Sequence, residues 1–119
     1  HVHQMISTVS SELDDKSDFV DAIATTFPMG SMTGAPKIKA MELIEKYEET
    51  KRGVFSGAVG YVAPNGDFDF NVIIRSLLYD NKKKYLSLSV GGAIVAKSKP
   101  ESEYEECLTK AQPIFEIFI

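Results

Sequence analysis

The sequence predicts an α+β chain, an antiparallel sheet with helices packed against it. Three observations carry this expectation. Apolar residues recur at helical spacing in two stretches, Ala40, Leu43, Ile44 and Tyr47, then Tyr104, Cys107, Leu108, Ala111 and Phe115. Between those stretches lie runs rich in β-branched and aromatic residues, folded back by Pro64-Asn65-Gly66-Asp67, a strong hairpin turn. At 119 residues the chain is one domain at most, long enough to bury a core.

The elements follow in chain order. Residues 2–9 are β-prone. Ser17-Asp18 offers an N-cap for a short helix carrying Phe19, Val20, Ile23 and Ala24. A Gly-rich, hydroxyl-rich segment, Phe27-Pro28-Met29-Gly30-Ser31-Met32-Thr33-Gly34-Ala35-Pro36-Lys37, then runs into the next helix. Pro36 falls in the first turn of that helix, where a missing N–H is harmless, and Gly53 terminates it after Lys51-Arg52. Residues 54–62 read as a strand with so many small side chains that something must pack close to its backbone. Residues 68–79 are the return strand, 80–84 a polar turn and 85–90 another strand. Gly91-Gly92 marks a bulge or close approach. Ser98 with Glu101 forms a capping box for the last helix, which Pro113 ends or kinks.

Composition narrows the function. Hydrophobic residues make up 44% and charged residues 25%, as in an ordinary soluble protein. The net charge of −4 argues against a nucleic-acid or anionic-membrane partner. No apolar run could span a bilayer, and no basic segment followed by an apolar one suggests secretion. The single cysteine, Cys107, fits a reducing cytoplasm and an apolar helix stripe. The chain opens on His1-Val2-His3-Gln4-Met5-Ile6-Ser7, a strand-like run without an initiator Met, and so reads as a piece of something longer.

Three places could carry chemistry. The Gly-rich segment enters a helix N-terminus, where unpaired N–H groups and the helix dipole favour an anion. Lys37 sits badly in that first turn unless an anion compensates it; the alternative is a plain helix start. Arg75 lies in the apolar run Val72-Ile73-Ile74-Arg75-Ser76-Leu77-Leu78. Its guanidinium needs a partner, and a planar carboxylate matches its fork; an internal ion pair or a snorkelling edge residue is the alternative. On the last helix, Glu103, Glu106 and Lys110 share a flank. Two carboxylates one turn apart can grip a hard divalent cation, or Glu106 and Lys110 simply form a surface pair. His3 has no visible Cys, Asp or Glu partner and reads as packed or surface.

Together these pieces resemble the C-terminal part of the chorismate-binding enzymes, the family of anthranilate synthase and aminodeoxychorismate synthase component I. Gly30-Ser31-Met32-Thr33-Gly34-Ala35-Pro36-Lys37 resembles the G-[ST]-x-[ST]-G-A-P-K loop, and Ser56-Gly57-Ala58-Val59-Gly60-Tyr61 the S-G-A-x-G-Y strand. Asn71-Val72-Ile73-Ile74-Arg75-Ser76 is similar to the V-x-I-R-[ST] strand. Gly91-Gly92-Ala93-Ile94-Val95-Ala96, followed by Ser98, Glu103, Glu106 and Lys110, is similar to the family's ending. The likeness covers essentially residues 1–119, taken as one C-terminal piece of a chorismate-binding domain.

The resemblance implies roles. Arg75 pairs with a chorismate carboxylate, and the backbone at Gly91, Gly92 and Ala93 donates N–H groups to a carboxylate. Glu103 and Glu106 belong to a Mg²⁺ site, Lys110 supports that acidic cluster, and Thr33 and Gly34 help form the pocket wall. The implied reaction replaces the chorismate C4 hydroxyl with ammonia to give 4-amino-4-deoxychorismate, with the ammonia supplied by a glutamine amidotransferase partner. The Ser31…Thr33 wording is closer to the aminodeoxychorismate synthases than to the anthranilate synthases, which stay as the alternative. A non-catalytic carboxylate-binding domain is a further one.

Three positions depart from the family. Its usual catalytic His position is Gln4 here, with His3 one residue earlier and hence on the opposite face of a strand. Phe55 stands where many members have Tyr, and Ala93 replaces the second Gly of G-x-G. The implied Lys nucleophile, in a P-I-K-G-T motif, and the remaining metal ligands would lie upstream, so this piece alone is expected to be inactive.

Overall fold

Asp18 starts the first helix, α1 (Phe19–Thr26), by a reciprocal cap. Its carboxylate accepts from the N–H groups of Val20 and Asp21, and the Asp21 carboxylate accepts from the N–H of Asp18. Donors that the helix cannot pair internally are thereby satisfied. The computed structural model describes residues 5–118.

The Gly-rich segment that follows is bracketed by cis peptide bonds at Phe27-Pro28 and Ala35-Pro36. It is not all loop: Gly30–Thr33 winds into a one-turn helix, α2, and Gly34 at φ +136 reverses the chain. Next comes α3 (Lys37–Tyr47), with Pro36 at the N-cap rather than inside the first turn. It ends with the Glu48 N–H on the Ile44 carbonyl, well before Gly53, which sits at φ +59 in the following turn.

The hairpin forms where Pro64-Asn65-Gly66-Asp67 predicts it. β1 (Ala58–Val62) pairs antiparallel with β2 (Phe68–Val72), and Gly66 takes φ +94 at the tip. The close approach expected along residues 54–62 occurs at Gly60, which faces Phe70 across the ladder. A Cβ on Gly60 would fall 2.6 Å from the Phe70 ring and 2.1 Å from the Asp69 carbonyl. Phe70 packs on Phe68 at 6.1 Å, and Phe68 on Phe19 at 5.8 Å, which seats α1 on the hairpin.

The return strand expected over residues 68–79 is broken. β2 stops at Val72, the Ile74 N–H turns back onto the Val72 carbonyl, and Arg75 adopts φ +51. A left-handed residue cannot stay in a β ladder, so pairing restarts as β3 (Leu77–Asp80) with β4 (Tyr85–Leu88). The architecture is therefore α+β as expected, with two two-stranded antiparallel sheets in place of one. Residues 54–57, expected in the first strand, form a tight turn in which Phe55 N–H bonds Arg52 O and Gly57 N–H bonds Val54 O. Residues 5–9 carry no strand; the rest of that expected strand lies outside the described residues.

The last helix, α4 (Pro100–Phe115), starts two residues after Ser98. Pro100 decides this: a residue preceding proline is held extended, and Lys99 sits at φ −106, ψ 125 as the cap. Ser98 instead serves a turn, its Oγ accepting from the Val95 N–H at 3.0 Å. Pro113 does not end the helix, which runs on to Phe115 and then tightens into a 3-10 turn at Glu116–Phe118.

A large core does not form. Among the described residues only Ala111 and Ser56 are buried. The stripes expected to face inward are open: Tyr47 is 68% and Tyr104 65% exposed. The chain exposes 10725 Å², against roughly 6,400 Å² for a compact protein of its mass. Two-stranded sheets cover neither of their own faces, and among the described residues only the Phe19–Phe68 contact of α1 is an aromatic contact between a helix and either sheet. Among the described residues no helix is long and apolar enough to cross a membrane.

Candidate functional site

The break between β2 and β3 matters because of what it turns toward. Arg75 lines a cleft of about 340 Å³ together with Val90, Gly91, Gly92 and Ala93 of the segment after β4. Lys110 of α4 and Ser31 and Met32 of the Gly-rich segment line it as well. Pockets that hold small ligands measure about 300–1,000 Å³. Five residues expected at the site, Arg75, Gly91, Gly92, Ala93 and Lys110, thus come together from three separate stretches of chain.

Their chemistry is that of an anion site. The Arg75 guanidinium has no ion-pair partner among the described residues. No ion pair among the described residues accounts for it; the residue is exposed, as the snorkelling alternative expects, and it lines the cleft. A non-glycine residue held in the left-handed region is a strained one, and such strain concentrates at functional sites. Backbone pairing of β4 stops at Leu88, and none of the hydrogen bonds among the described residues engages the N–H groups of Gly91, Gly92 or Ala93. Lys110 donates to the Gly91 carbonyl at 3.0 Å and pairs with Glu106. It therefore fastens α4 to the diglycine segment, which forms no turn of its own.

The acidic pair sits against the same segment. A Cβ on Gly92 would lie 3.2 Å from Glu103 Oε2 and 3.8 Å from Glu106 Oε1, so both carboxylates converge on its backbone. Two hard oxygen donors one helical turn apart suit Mg²⁺, which takes one or two carboxylates and fills its shell with water and substrate; here that Glu106 oxygen is paired with Lys110, the surface pair that the spacing also allowed. Among the described residues no third acidic or histidine ligand joins them.

Three expectations stand differently. Thr33 lines a neighbouring cavity of about 260 Å³ rather than the cleft, and its hydroxyl bonds the Met29 carbonyl at 3.1 Å. Gly34 is a reversal packed against Ala40, whose Cβ would lie 3.1 Å from an added one. Lys37 needs no anion: its Nζ donates to the Thr26 carbonyl at 3.3 Å, at the negative end of the α1 dipole. Gln4 lies outside the described residues, whereas Phe55 lines the cleft directly.

One cleft residue, Arg52, escaped the sequence reading. Its Nη1 donates to the Met32 carbonyl at 2.6 Å and to Ser56 Oγ at 3.2 Å, while Nε donates to Glu48 Oε2 at 2.8 Å. Nη2 reaches the other Glu48 oxygen. The available signal was Glu48…Arg52 at i,i+4.

The hydrogen bonds from Arg52 hold the Glu48 carboxyl below the ordinary carboxylate value; partial burial opposes this and the guanidinium charge adds to it. A lowered carboxyl pKa contributes stability above the unfolded value, and that contribution disappears as pH falls through the folded one. Glu48→Gln should therefore destabilise this segment at neutral pH, by less than about 1 kcal/mol for so exposed a pair, and the difference from wild type on denaturation should shrink as pH falls below the ordinary carboxylate value. A difference that does not shrink with falling pH would contradict the assignment.

Geometry and charge thus define a mixed α+β protein with a cleft of small-ligand size, lined by Arg52, Arg75 and Lys110, beside an acidic pair. The family model described as chorismate binding enzyme matches residues 1–116, and the chain belongs to that family. It is 43% identical to an aminodeoxychorismate synthase of Streptomyces griseus over 116 residues, 98% of this chain and 16% of that protein. It is 42% identical to an anthranilate synthase component 1 of Acinetobacter calcoaceticus over 114 residues, 96% of this chain and 22% of that one. A probable chloroplastic aminodeoxychorismate synthase of Oryza sativa subsp. japonica is 46% identical over 112 residues, 93% and 12% respectively. The chain spans less than a quarter of the length of each.

Proposed function

We propose that this chain forms one wall of the chorismate pocket of a chorismate-utilising synthase, and that the product is 4-amino-4-deoxychorismate. The gathering of Arg75 and the Gly91–Ala93 backbone on one cleft carries the proposal. A guanidinium without an ion pair and amides without a hydrogen bond among the described residues, lining the same cleft, suit a planar carboxylate, and chorismate carries carboxylates. Glu103 and Glu106 would hold Mg²⁺, which when bound supplies positive charge to a substrate carboxylate. Lys110 keeps the Glu106 carboxylate and the Gly91 carbonyl in register, so the amides and the acidic pair address one ligand.

Ammonia would come from a glutamine amidotransferase partner. A second product, anthranilate, is favoured by the nearly equal identity to the Acinetobacter calcoaceticus protein. Calorimetric titration with chorismate, with and without Mg²⁺, tests the pocket. Heat that saturates and strengthens with Mg²⁺ is expected, without turnover, since two carboxylates alone make part of a metal site. Absence of any chorismate heat would overturn the assignment, and turnover with ammonia would show that the chain is sufficient for catalysis.

A further inference from the structure

Two arginines line the same cleft, and their donors are used in opposite ways. A guanidinium has five N–H groups. Arg52 commits four of them inside the fold, two to the Glu48 carboxylate, one to the Met32 carbonyl and one to the Ser56 hydroxyl. Arg75 commits none to an ion pair among the described residues. One is anchored and the other is open.

Part of what Arg52 anchors could not hold its shape unaided. Met32 belongs to α2, a helix of four residues, and a single helical turn does not repay the cost of its own nucleation. No side chain caps α2. Ser56, the only buried polar residue among those described, sits at φ +66, a strained backbone position for a side chain with a Cβ. The Arg52 guanidinium bonds both. It therefore joins the short α2 to the Ser56 turn, which backbone bonds between Ser56, Gly57 and Ile73 already tie to the first hairpin.

We propose that Arg52 is a positioning residue that locks the Gly-rich segment onto the Ser56 turn and so fixes the part of the cleft wall formed by Ser31, Met32 and Phe55. The link to a ligand rests on the chorismate pocket proposed above; the lock itself does not. Lysine cannot replace it, because one ammonium cannot span a carboxylate, a carbonyl and a hydroxyl in a single plane.

Amide hydrogen exchange on the chain tests this, with residues 77–88 of the β3–β4 hairpin as internal reference. Arg52→Lys and Arg52→Ala should each speed exchange across residues 30–34 and 54–57 by a factor of about 10 or more, the loss expected for removing bonds from a charged donor. Exchange in residues 77–88 should not change, and protection kept at residues 58–62 and 68–72 shows that the hairpin adjoining the Ser56 turn still forms in the variant. Arg75→Ala should leave residues 30–34 as in wild type. Unchanged exchange at 30–34 in both Arg52 variants would overturn the proposal. Titration of Arg52→Lys with chorismate adds a readout of ligand positioning, with affinity reduced about tenfold although Arg75 is intact. If wild type takes up no chorismate while the exchange pattern holds, the pocket assignment fails and the lock stands.

Discussion

Replacing Arg75 with alanine should weaken chorismate binding by a factor of about 10–100, the loss expected when one charged hydrogen-bonding partner is removed. The effect should be large because nothing in the described fold competes for this guanidinium. Removing it breaks no internal ion pair and strands no buried charge. Arg75→Gly separates ligand binding from backbone strain. Glycine adopts φ +51 without penalty, so this variant should lose binding as fully as Arg75→Ala while holding the β2–β3 break at least as well as wild type. Arg75→Lys keeps the charge and loses the fork, and should fall between. Equal heats for wild type and Arg75→Ala would rule out a carboxylate site here.

Gly60→Ala should open the first hairpin. The added methyl would lie 2.1 Å from the Asp69 carbonyl and 2.6 Å from the Phe70 ring, and backbone cannot swing aside as a flexible side-chain tip can. Overpacking of this kind costs about 1–3 kcal/mol, occasionally more. With so little burial elsewhere, exchange protection at residues 58–62 and 68–72 should disappear while residues 77–80 and 85–88 keep theirs. Gly30→Ala is the control: nothing lies within 4 Å of its added Cβ, and protection should be unaffected. A protected first hairpin in Gly60→Ala would mean that Phe70 does not pack on this glycine.

Elements governed by chemistry within a few residues were legible in advance. Asp18 caps α1 because carboxylate and N–H groups are neighbours in the chain, and Gly66 turns the hairpin because the tip needs positive φ. The small residues near Gly60 foretold a close neighbour, though not which ring it was. Features set by distant partners were not legible. Lys37 looked misplaced at a helix start because its acceptor, Thr26, belongs to another helix. Ser98 looked like a cap because the restraint of Pro100 on Lys99 outweighs the motif. The interruption at Arg75 lay hidden in an apolar run that alternation alone would carry straight through. Helical stripes were read as buried because periodicity shows which side is apolar, not whether anything covers it.

The site was legible in its residues more than in its assembly. Arg75, the Gly91–Ala93 backbone and Lys110 converge, and Glu103 and Glu106 lie beside them. Thr33 and Gly34 belong to the same motif but lie beside the cleft, Thr33 on the neighbouring cavity and Gly34 against Ala40 of α3. Arg52 was missed because its value lies in joining segments remote from one another in sequence.

The near absence of a shared core has a consequence for cooperativity. Each hairpin closes through a short turn and can form on its own in microseconds. Little buried surface couples the first hairpin to the second, or either to α4. Heating should therefore dissolve the molecule piece by piece, with midpoints that depend on the probe, and no single free energy of unfolding describes the chain. Helix signal, aromatic environment and exchange at each ladder would report different transitions. A ligand spanning Arg75, the diglycine segment and α4 would link pieces that the polypeptide leaves loosely coupled, so binding and folding should draw on the same free energy.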